Sequence, residues 1–330
     1  MVRYNSLSNA YSSYLRYNTG MIFRMQPMSE ILFLLKERLS DHKTVTFEIL
    51  DPDLFRGSYA GTEVEVEGET YIYRSLRAWL ELSDILGCRM LVPKATTYPL
   101  LQISFEKIGA DSFHTHNLSG TEKYGMNSLF SQIHKMEEPA FYYYFEEALK
   151  NANLSRRSRL LDLGVNRGDE FEVIRTYTDS KQYDQMELIG LDHSESAIAE
   201  AKIRFPEPNV SFYACDINQI DTLNLGRFNL LISIGTLQSP SINFKPMLMH
   251  LVQEYMQKED AAIILGFPNS RWENGEMRYG AKAAHYRFSE MGVVLEDILF
   301  AKKYLQQKKY RVMITGRHYL FLTAVRIGTK

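Results

Sequence analysis

Short apolar segments alternate with amphipathic helical patterns from about residue 158 onward, and this alternation limits the folds that are open to the chain. The apolar segments predict strands at 160–164, 188–192, 210–216, 228–234 and 261–267. Between them, 194–205 and 244–258 carry apolar residues at helical spacing. Near-continuous apolar strands joined by helices are typical of a parallel sheet that helices cover on both faces. We therefore predict an α/β domain over 158–330, with a doubly wound, mostly parallel seven-stranded sheet.

The last two predicted strands are too close together in sequence to be parallel. They cover 310–315 and 319–325, and only residues 316–318 connect them. A crossover between parallel strands takes about a dozen residues or more, so this connection must be a hairpin. The last strand of the sheet is therefore predicted to run antiparallel. The helix before this hairpin is predicted to begin at Ser289.

Residues 1–115 lack this regular alternation, and we predict that they form a separate α+β module. Ser29 is a candidate cap for the first helix of this module, which would end at Leu39. The turn at 67–68 joins two segments of alternating polarity and predicts a hairpin. The remaining predicted elements are a helix at 75–87 and strands at 44–50, 89–92 and 100–105.

A polar stretch at 111–120 is the candidate linker between the two parts of the chain. Residues 116–157 are therefore assigned to the linker and to lead-in helices of the C-terminal domain. His114 and His116 alternate within the polar stretch, but no cysteine or acidic partner accompanies them. No metal site is predicted.

The composition indicates a protein without a membrane segment or a disulfide framework. No apolar run approaches the ~18 residues of a membrane-spanning helix, and the N-terminus carries no recognisable secretory signal. Cys88 and Cys215 are the only cysteines, which fits a reducing compartment. The formal net charge of −2 provides no general attraction to nucleic acid or to membranes. We therefore expect a cytoplasmic protein, whose oligomeric state the sequence leaves open.

The turn after the first strand of the predicted sheet combines two glycines with an asparagine. Gly164 and Gly168 allow the backbone to approach a ligand closely, and Asn166 adopts a left-handed conformation more readily than most residues. The spacing G-x-x-x-G differs from the G-x-G-x-x-G of nicotinamide-dependent dehydrogenases. This difference, together with the final hairpin, argues against a dehydrogenase.

Acidic residues end the next two strands of the predicted sheet. Asp192 ends the second strand, where a carboxylate can accept hydrogen bonds from both hydroxyls of a ribose. Asp216 ends the third strand, within reach of an adenine amino group, and Ser233 and Gly235 could flank the ligand at the end of the fourth. Each acid is also a candidate cap for the helix or turn that follows it. Acids at two successive strand ends predict a site for an adenosine-bearing ligand.

The segment 159–269 resembles the core of the class I S-adenosylmethionine-dependent methyltransferases, which have a Rossmann-like fold. Residues 162–168 are similar to the first motif of that family, with Asn166 in place of the middle glycine. The cofactor-binding residues that follow from this resemblance are Asp162, Gly164, Asn166, Gly168, Asp192, Asp216, Ile217, Ser233 and Gly235. The resemblance implies S-adenosyl-L-methionine as the cofactor and methyl transfer as the reaction.

Two residues depart from the fourth motif of the family, which 228–238 resembles. Asn229 stands where an aspartate is common, and Gln238 stands where a histidine is frequent. Together with Asn166, these departures leave open a non-catalytic module that only binds the cofactor.

The residues at 268–280 follow the fifth strand and supply most candidates for contact with the methyl acceptor. Ligands bind at the carboxyl ends of the strands in open α/β sheets. Methyl transfer mainly requires a positioned nucleophile, and it requires a general base only for some acceptors that carry a proton. The candidates are Glu276 and Tyr279 for catalysis, and Arg271, Trp272 and Tyr124 for substrate contact. A solvated surface loop is the alternative interpretation of 268–280.

Basic residues cluster near the end of the last helix and raise the question of a nucleic-acid acceptor. Lysines in the last turn of a helix also interact favourably with the helix dipole, without any partner. An isoelectric point near 6.5 argues against a large nucleic-acid footprint. We therefore expect a small molecule or a lipid precursor as the acceptor, with RNA (tRNA) or a protein as the alternatives.

A fragment that begins near Gly120 should still bind S-adenosylhomocysteine but lose turnover on the native acceptor, because every cofactor motif lies after residue 158. The N-terminal module would then serve in acceptor recognition or as a lid that excludes water. Calorimetric titration, with light scattering to detect aggregation, tests this expectation. A soluble, folded fragment that cannot bind S-adenosylhomocysteine would contradict it, and aggregation would indicate that truncation exposes an apolar face.

Overall fold

The chain divides into two units, Met1–Ala110 and Asp111–Lys330. The computed structural model describes residues 20–109, 125, 126, 128–280 and 291–328. None of the helices in these ranges is both long and apolar enough to cross a membrane.

The N-terminal unit is an α+β module built on a five-stranded sheet. The strands of this unit, which include a separate hairpin of β3 and β4, are β1 (Met21–Phe23), β2 (Thr44–Leu50), β3 (Glu63–Val66), β4 (Glu69–Ile72), β5 (Cys88–Met90), β6 (Lys94–Ala95) and β7 (Leu100–Lys107). Its helices are α1 (Met28–Asp41) and α2 (Leu76–Ile85). The sheet has the order β1-β2-β7-β5, and β6 also pairs with β7. β1 and β2 are parallel, whereas β7 is antiparallel to its three partners. The predicted hairpin is confirmed as β3–β4.

The two helices of this unit share one hydrophobic core with its sheet. Ile31 and Leu35 of α1 and Trp79 of α2 are buried together with Phe47 and Phe105 of the two central strands. The rings of Phe47 and Phe105 are 5.0 Å apart in an edge-to-face arrangement. This packing explains why apolar residues recur at helical spacing in both helices.

The first helix begins two residues earlier than predicted, and Ser29 does not cap it. Pro27 occupies the cap position of α1 and forms no side-chain cap. The carbonyl of Pro27 accepts the backbone N–H groups of Glu30 and Ile31. Ser29 therefore lies inside the first turn, and the assignment of Ser29 as the cap is wrong.

The C-terminal unit contains the predicted seven-stranded sheet. The strands of this unit, which include a separate hairpin of β13 and β14, are β8 (Arg159–Leu163), β9 (Glu187–Asp192), β10 (Val210–Ala214), β11 (Leu230–Ile234), β12 (Ala262–Pro268), β13 (Ser270–Glu273), β14 (Glu276–Tyr279), β15 (Tyr310–Gly316) and β16 (Tyr319–Arg326). Its α-helices are α3 (Pro139–Asn151), α4 (Asp169–Tyr177), α5 (Ser180–Gln185), α6 (Glu195–Arg204), α7 (Phe244–His250) and α8 (Met291–Gln307). The sheet has the order β10-β9-β8-β11-β12-β16-β15. The first five strands are parallel and β16 is antiparallel to both of its neighbours, which confirms the mostly parallel sheet and its closing hairpin.

Three predicted segments differ from the structure or lie beyond it. The helix predicted at 244–258 is α7 followed by one π-helical turn, Leu251–Tyr255. Within 268–280, for which a solvated surface loop was the alternative interpretation, residues 270–279 form the hairpin of β13 and β14. The predicted helix start at Ser289 lies outside the described residues, among which α8 begins at Met291.

Alternate residues of the central strands pack against opposite faces of the large sheet. Leu161 and Leu163 of β8 belong to a core that includes residues of α7 and α8. Leu160 of the same strand belongs to a second core, which includes residues of α3, α4 and α6. Burial on both faces explains why the strands read as continuous apolar runs. Polar side chains are thereby restricted mainly to the ends of the strands.

Asn229 directly precedes β11 and stabilises the amino-terminal edge of the sheet. Its Oδ1 accepts hydrogen bonds from the backbone N–H groups of Ser158 and Arg159, at 3.1 and 3.0 Å. Its amide nitrogen donates to the Ser158 hydroxyl at 3.2 Å, and the residue is buried. Ligands bind at the opposite, carboxyl-terminal edge of such sheets. The departure from a common aspartate at this position therefore has a structural role.

Asn229→Ala should lower the free energy of unfolding by about 2–3 kcal/mol, because two buried N–H groups would lose their acceptor. Asn229→Asp retains an acceptor for both groups and should lower it by less than half as much. Urea denaturation at pH 7 measures the difference. An alanine variant as stable as the wild type would show that these N–H groups do not depend on the Asn229 side chain.

Candidate functional site

The ends of three neighbouring strands bring the predicted site residues to one edge of the sheet. β8, β9 and β10 are adjacent and parallel, with Asp162 paired to Gly190 and Asp192 paired to Ala214. The carboxyl ends of parallel strands meet at the same edge, which is where open α/β sheets bind ligands. Asp192, Asp216 and the turn after β8 therefore share this edge.

The turn after β8 has the left-handed backbone that its residue types predict. Gly164, Asn166 and Gly168 have φ angles of +79°, +47° and +86°. A Cβ on Gly164 would lie 1.8 Å from Oγ1 of Thr236, and a Cβ on Gly168 would lie 2.6 Å from the ring of Phe205. Both glycines are therefore required by packing within the chain as well as by their backbone conformation. The sequence suggested that a ligand approaches these two glycines closely. In the structure, the side chains of Thr236 and Phe205 occupy the space beside them.

The carboxylate of Asp192 connects this turn to the start of α6. Oδ2 accepts a hydrogen bond from the backbone N–H of Asn166 at 3.0 Å, and Oδ1 accepts one from Ser194 at 2.9 Å. The cap residue of α6 is Ser194, whose hydroxyl accepts from the N–H of Ala197 at 3.2 Å. Burial raises the pKa of Asp192, and the two N–H groups together with His193 partly offset this effect.

The two hydrogen bonds leave acceptor capacity on Asp192, because each carboxylate oxygen has two lone pairs. A ribose presents two neighbouring hydroxyl donors, so the acceptor capacity of the side chain fits this group. The residue is 6% exposed, so its carboxylate is largely shielded from water. The side chain is thus suited both to the turn and to a ribose.

The other predicted cofactor contacts differ in exposure and in the hydrogen bonds that they already form within the chain. Asp216 is exposed, and its Oδ1 accepts a hydrogen bond from the backbone N–H of Asn218 at 2.9 Å, as a cap does. Ile217 is buried beside it. The buried hydroxyl of Ser233 donates to the carbonyl of Leu163 at 3.4 Å, within the sheet. Asp216 is therefore a better candidate for ligand contact than Ser233.

Asp162, which the resemblance assigned to the cofactor, belongs to a buried acidic cluster whose second carboxyl, Glu170, the sequence reasoning missed. Asp162, in β8, is 1% exposed, and Glu170, in the first turn of α4, is 6% exposed. Oδ2 of Asp162 has no hydrogen-bond partner among the described residues. The half-buried Lys135, from the segment before α3, acts electrostatically on both carboxyls. An acid in the first turn of a helix is usually explained by the helix dipole, so the sequence did not set Glu170 apart.

Burial changes the protonation of this cluster. It raises the pKa of Asp162 well above the ordinary value, and the carboxylates of Glu170 and Asp192 add to this shift while Lys135 opposes it. Burial also raises the pKa of Glu170 to about 7, against the opposing effect of Lys135. It lowers the pKa of Lys135, but Tyr319 and the neighbouring carboxylates outweigh this effect and leave the pKa raised. The cluster therefore retains protons at pH values where exposed carboxyls have lost them.

The hairpin of β13 and β14 pairs its own charged residues. Nε of Arg271 lies 2.8 Å from Oε1 of Glu273, and Nη1 of Arg278 lies 2.8 Å from Oε2 of Glu273. Nη1 of Arg271 also donates to the carbonyls of Tyr279 and Gly280, both at 3.1 Å. Burial raises the pKa of Glu273, but the two arginines outweigh it and leave the pKa low. Arg271 thus stabilises the hairpin, whatever its role toward a substrate.

The remaining acceptor-side candidates are partly described. Trp272 and Glu276 are partly exposed, and Tyr279 is exposed with its ring 6.1 Å from that of His318. The candidate Tyr124 lies outside the described residues, and so do His114 and His116, at which no metal site was predicted. A role of Trp272, Glu276, Tyr279 and Tyr124 in acceptor binding stays a prediction.

Asn269, which the sequence did not single out, connects this hairpin to the turn before β16. Its backbone N–H donates to the carbonyl of His318 at 2.8 Å, and its side-chain nitrogen donates to that of Arg317 at 3.1 Å. Its own carbonyl accepts the N–H of Gly280 at 2.8 Å. The residue is 2% exposed, and its Oδ1 has no partner within the described ranges. Asn269 follows β12 at the ligand edge and is a further candidate for contact with the acceptor.

Comparison with known families identifies the C-terminal part of the chain. A family model described as a methyltransferase domain matches residues 154–313, which include the glycine turn, Asp192 and Asp216. This part of the chain is a class I methyltransferase domain. The chain therefore contains a methyltransferase domain. Oδ2 of Asp162, which has no partner in the described part of the chain, and the acceptor capacity of Asp192 fit a ligand with hydroxyl and charged donors.

Solved structures of methyltransferases show a low level of similarity. The plantazolicin methyltransferase BpumL, in complex with a monoazolic desmethylPZN analogue and SAH, is 13% identical, with a TM-score of 0.41 over 59% of this chain and 88% of that chain. The magnesium protoporphyrin IX methyltransferase ChlM from Synechocystis PCC 6803, with bound SAM, is 16% identical, with a TM-score of 0.39 over 64% and 100% of the two chains. No curated protein matches the sequence. At this level of similarity the acceptor does not carry over from one protein to another.

Glu170→Gln should make the stability of the protein less dependent on pH. The folded-state pKa of about 7 lies above the ordinary 4.5, so between these values the folded chain keeps a proton that the unfolded chain has lost. The wild type should therefore lose up to about 3 kcal/mol of stability as the pH rises through this window, at roughly 1.4 kcal/mol per pKa unit. Urea denaturation from pH 5 to 8 measures this loss.

The matched control is Glu172→Gln, on the same helix, whose side chain is 43% exposed and pairs with Arg175. It should retain the pH dependence of the wild type. Parallel stability curves for the wild type and Glu170→Gln would contradict the prediction.

Proposed function

We propose that the domain binds S-adenosylmethionine at the edge formed by β8, β9 and β10 and transfers its methyl group to a small-molecule acceptor. The observation that carries this proposal is the carboxylate of Asp192, which the backbone N–H groups of Asn166 and Ser194 help to orient while acceptor capacity remains on the carboxylate. Two ribose hydroxyls would donate to it. Asp216 would accept a hydrogen bond from the adenine amino group, and Ile217 would contact the adenine ring.

The cofactor supplies a methyl group that its sulfonium already activates. The chain therefore has to orient the cofactor and the acceptor and to exclude water, which are the main contributions that a protein makes to such a transfer. Asp192 would orient the ribose, and the rigid turn at 164–168 would limit the positions open to the rest of the cofactor. Glu276 is our candidate for the general base when the acceptor must lose a proton.

For the acceptor we propose a small molecule or a lipid precursor. The hairpin of β13 and β14 follows β12 at the ligand edge and presents the partly exposed aromatic side chain of Trp272 beside charged residues. Tyr279 is exposed on the same hairpin. Asn269 adds a buried oxygen that could accept an N–H or O–H group. A net charge of −2 favours a small acceptor over a nucleic acid.

The proposal includes a role for the N-terminal unit. All cofactor motifs lie in the C-terminal unit, so the N-terminal unit is free to serve in acceptor recognition or as a lid. A cytoplasmic location, which the two isolated cysteines favour, is part of the same proposal.

Calorimetric titration should detect S-adenosylmethionine or S-adenosylhomocysteine binding with a micromolar Kd. Asp192→Ala should weaken binding by about 2–4 kcal/mol, or roughly 30- to 1,000-fold in Kd, because the ribose would lose a charged acceptor. Asp216→Ala should weaken it less, because that carboxylate is exposed to water. Circular dichroism must show that Asp192→Ala is folded, since it also loses two backbone contacts.

The control is Asp179→Ala, which removes the acidic cap of α5 before β9 begins and should leave the Kd unchanged. No heat with either ligand on folded protein would overturn the proposal. Unchanged affinity in Asp192→Ala would assign Asp192 to the structure of the turn alone.

A further inference from the structure

The N-terminal unit buries an arginine whose charge no carboxylate of the described residues balances. Arg74 is 7% exposed, and its Nη1 has no hydrogen-bond partner within the described ranges. Burial lowers the pKa of Arg74, and no acidic group in the described part of the chain opposes this effect. Arg157, which is also buried, differs in this respect, because Oδ1 of Asp260 lies 3.3 Å from its Nη1.

The contacts that Arg74 does form are with neutral groups. Its Nη2 donates a hydrogen bond to the carbonyl of Gln26 at 2.6 Å. Its guanidinium carbon lies 5.7 Å from the centre of the Trp79 ring, within the range of a cation–π contact. A guanidinium does not lose its proton in a protein, so burial cannot neutralise it as it can neutralise a lysine or a carboxyl group. Arg74 therefore keeps a positive charge that is largely shielded from water, and an anion beside it would be stabilising.

Arg24, a second arginine in this region, has an acidic neighbour of its own. Gln26 connects the two arginines, because its side-chain oxygen accepts the backbone N–H of Arg24 at 2.8 Å while its carbonyl accepts from Arg74. Nε of Arg24 lies 3.9 Å from Oε2 of Glu69. Glu69 contributes to the pKa of Arg24 but not to that of Arg74. The charge of Arg24 is thus partly offset, and that of Arg74 remains.

The guanidinium of Arg74 lies at the amino-terminal end of α2. Ser75, the next residue, caps this helix, and its hydroxyl accepts a backbone N–H of the first turn at 3.4 Å. Helix side chains lean toward the N-terminus, so the Trp79 ring that contacts the guanidinium belongs to the same end of α2. The first turn contains no acid, and its residues Leu76 and Arg77 are exposed to solvent. A helix N-terminus presents N–H groups without intrahelical partners and a partial positive charge, which both favour an anion.

We propose that Arg74 and the first turn of α2 form a binding site for a phosphate group. In this site the guanidinium of Arg74 donates to the phosphate, while Arg77 and the N–H groups of the first turn bind its other oxygens. A phosphate monoester suits this set of donors better than a carboxylate, because it has three acceptor oxygens and a charge of about −1.5 to −2 at pH 7. The proposed cofactor contacts all lie in the C-terminal unit, so this inference does not depend on them.

Calorimetric titration of the full chain with sodium phosphate at pH 7 and constant ionic strength tests the proposal. The wild type should bind inorganic phosphate with a saturable heat. Arg74→Gln retains a donor for the Gln26 carbonyl but has no charge, and it should weaken binding by about 10- to 100-fold, because a charge-assisted hydrogen bond is lost. The matched control is Arg56→Gln in the same unit. Arg56 has Asp53 at 2.8 Å, so its replacement should leave the Kd unchanged.

Glycerol 3-phosphate and sodium acetate, titrated in the same way, separate the sources of the anion. If glycerol 3-phosphate binds more tightly than inorganic phosphate and this binding weakens in Arg74→Gln, the site takes a phosphorylated small molecule. Equal affinity for the two assigns the site to free phosphate. Acetate that binds as tightly as phosphate would overturn the choice of a phosphate group.

Two further outcomes would overturn the site itself. One is a folded wild type that gives no heat with either phosphate compound, and the other is an Arg74→Gln variant with the wild-type Kd. Should Arg74→Gln not fold, Arg77→Gln decides, because the exposed side chain of Arg77 can be replaced without opening the core. It should weaken phosphate binding by about three- to ten-fold. An unchanged Kd in Arg77→Gln would then overturn the proposal.

Discussion

The carboxylate of Asp192 is the interaction on which the rest of the site depends. It binds the N–H of Asn166 in the glycine turn and the N–H of Ser194 at the start of α6, so it holds two neighbouring loops in one arrangement. Hydrogen bonds to an ionised acceptor are among the stronger ones in proteins. The turn follows β8 directly, and Asp162 and Glu170 lie on its two sides. Asp192 thereby fixes the turn that separates the other two acids.

The large sheet concentrates polar side chains at the ends of its strands. Helices cover both of its faces, so the strands contribute apolar side chains in both directions and polar groups collect at the strand ends. Three acids brought together at one edge repel one another and lose contact with water. The stability of the surrounding core has to offset this unfavourable electrostatic energy. A cationic ligand would reduce it, which links the stability of the domain to its proposed function.

The acceptor side depends on a different set of contacts. The hairpin of β13 and β14 is held by the pairing of Arg271 and Arg278 with Glu273, and Asn269 connects it to the turn before β16. These contacts make the segment an ordered part of the ligand edge. An ordered hairpin can present Trp272 and Glu276 in fixed positions, which a solvated loop would not do.

The sequence by itself determined the sheet, its antiparallel end and the positions of Asp192 and Asp216, because continuous apolar strands and a three-residue connection permit few other arrangements. Local patterns also predicted the left-handed backbone at Asn166. Only the tertiary structure decided that Thr236 and Phe205 approach the two glycines, that Asn229 lies at the opposite edge, and that Lys135 acts on Asp162 and Glu170. These features join residues that are distant in sequence, and the shifted pKa values depend on burial. Neither periodicity nor a motif contains that information.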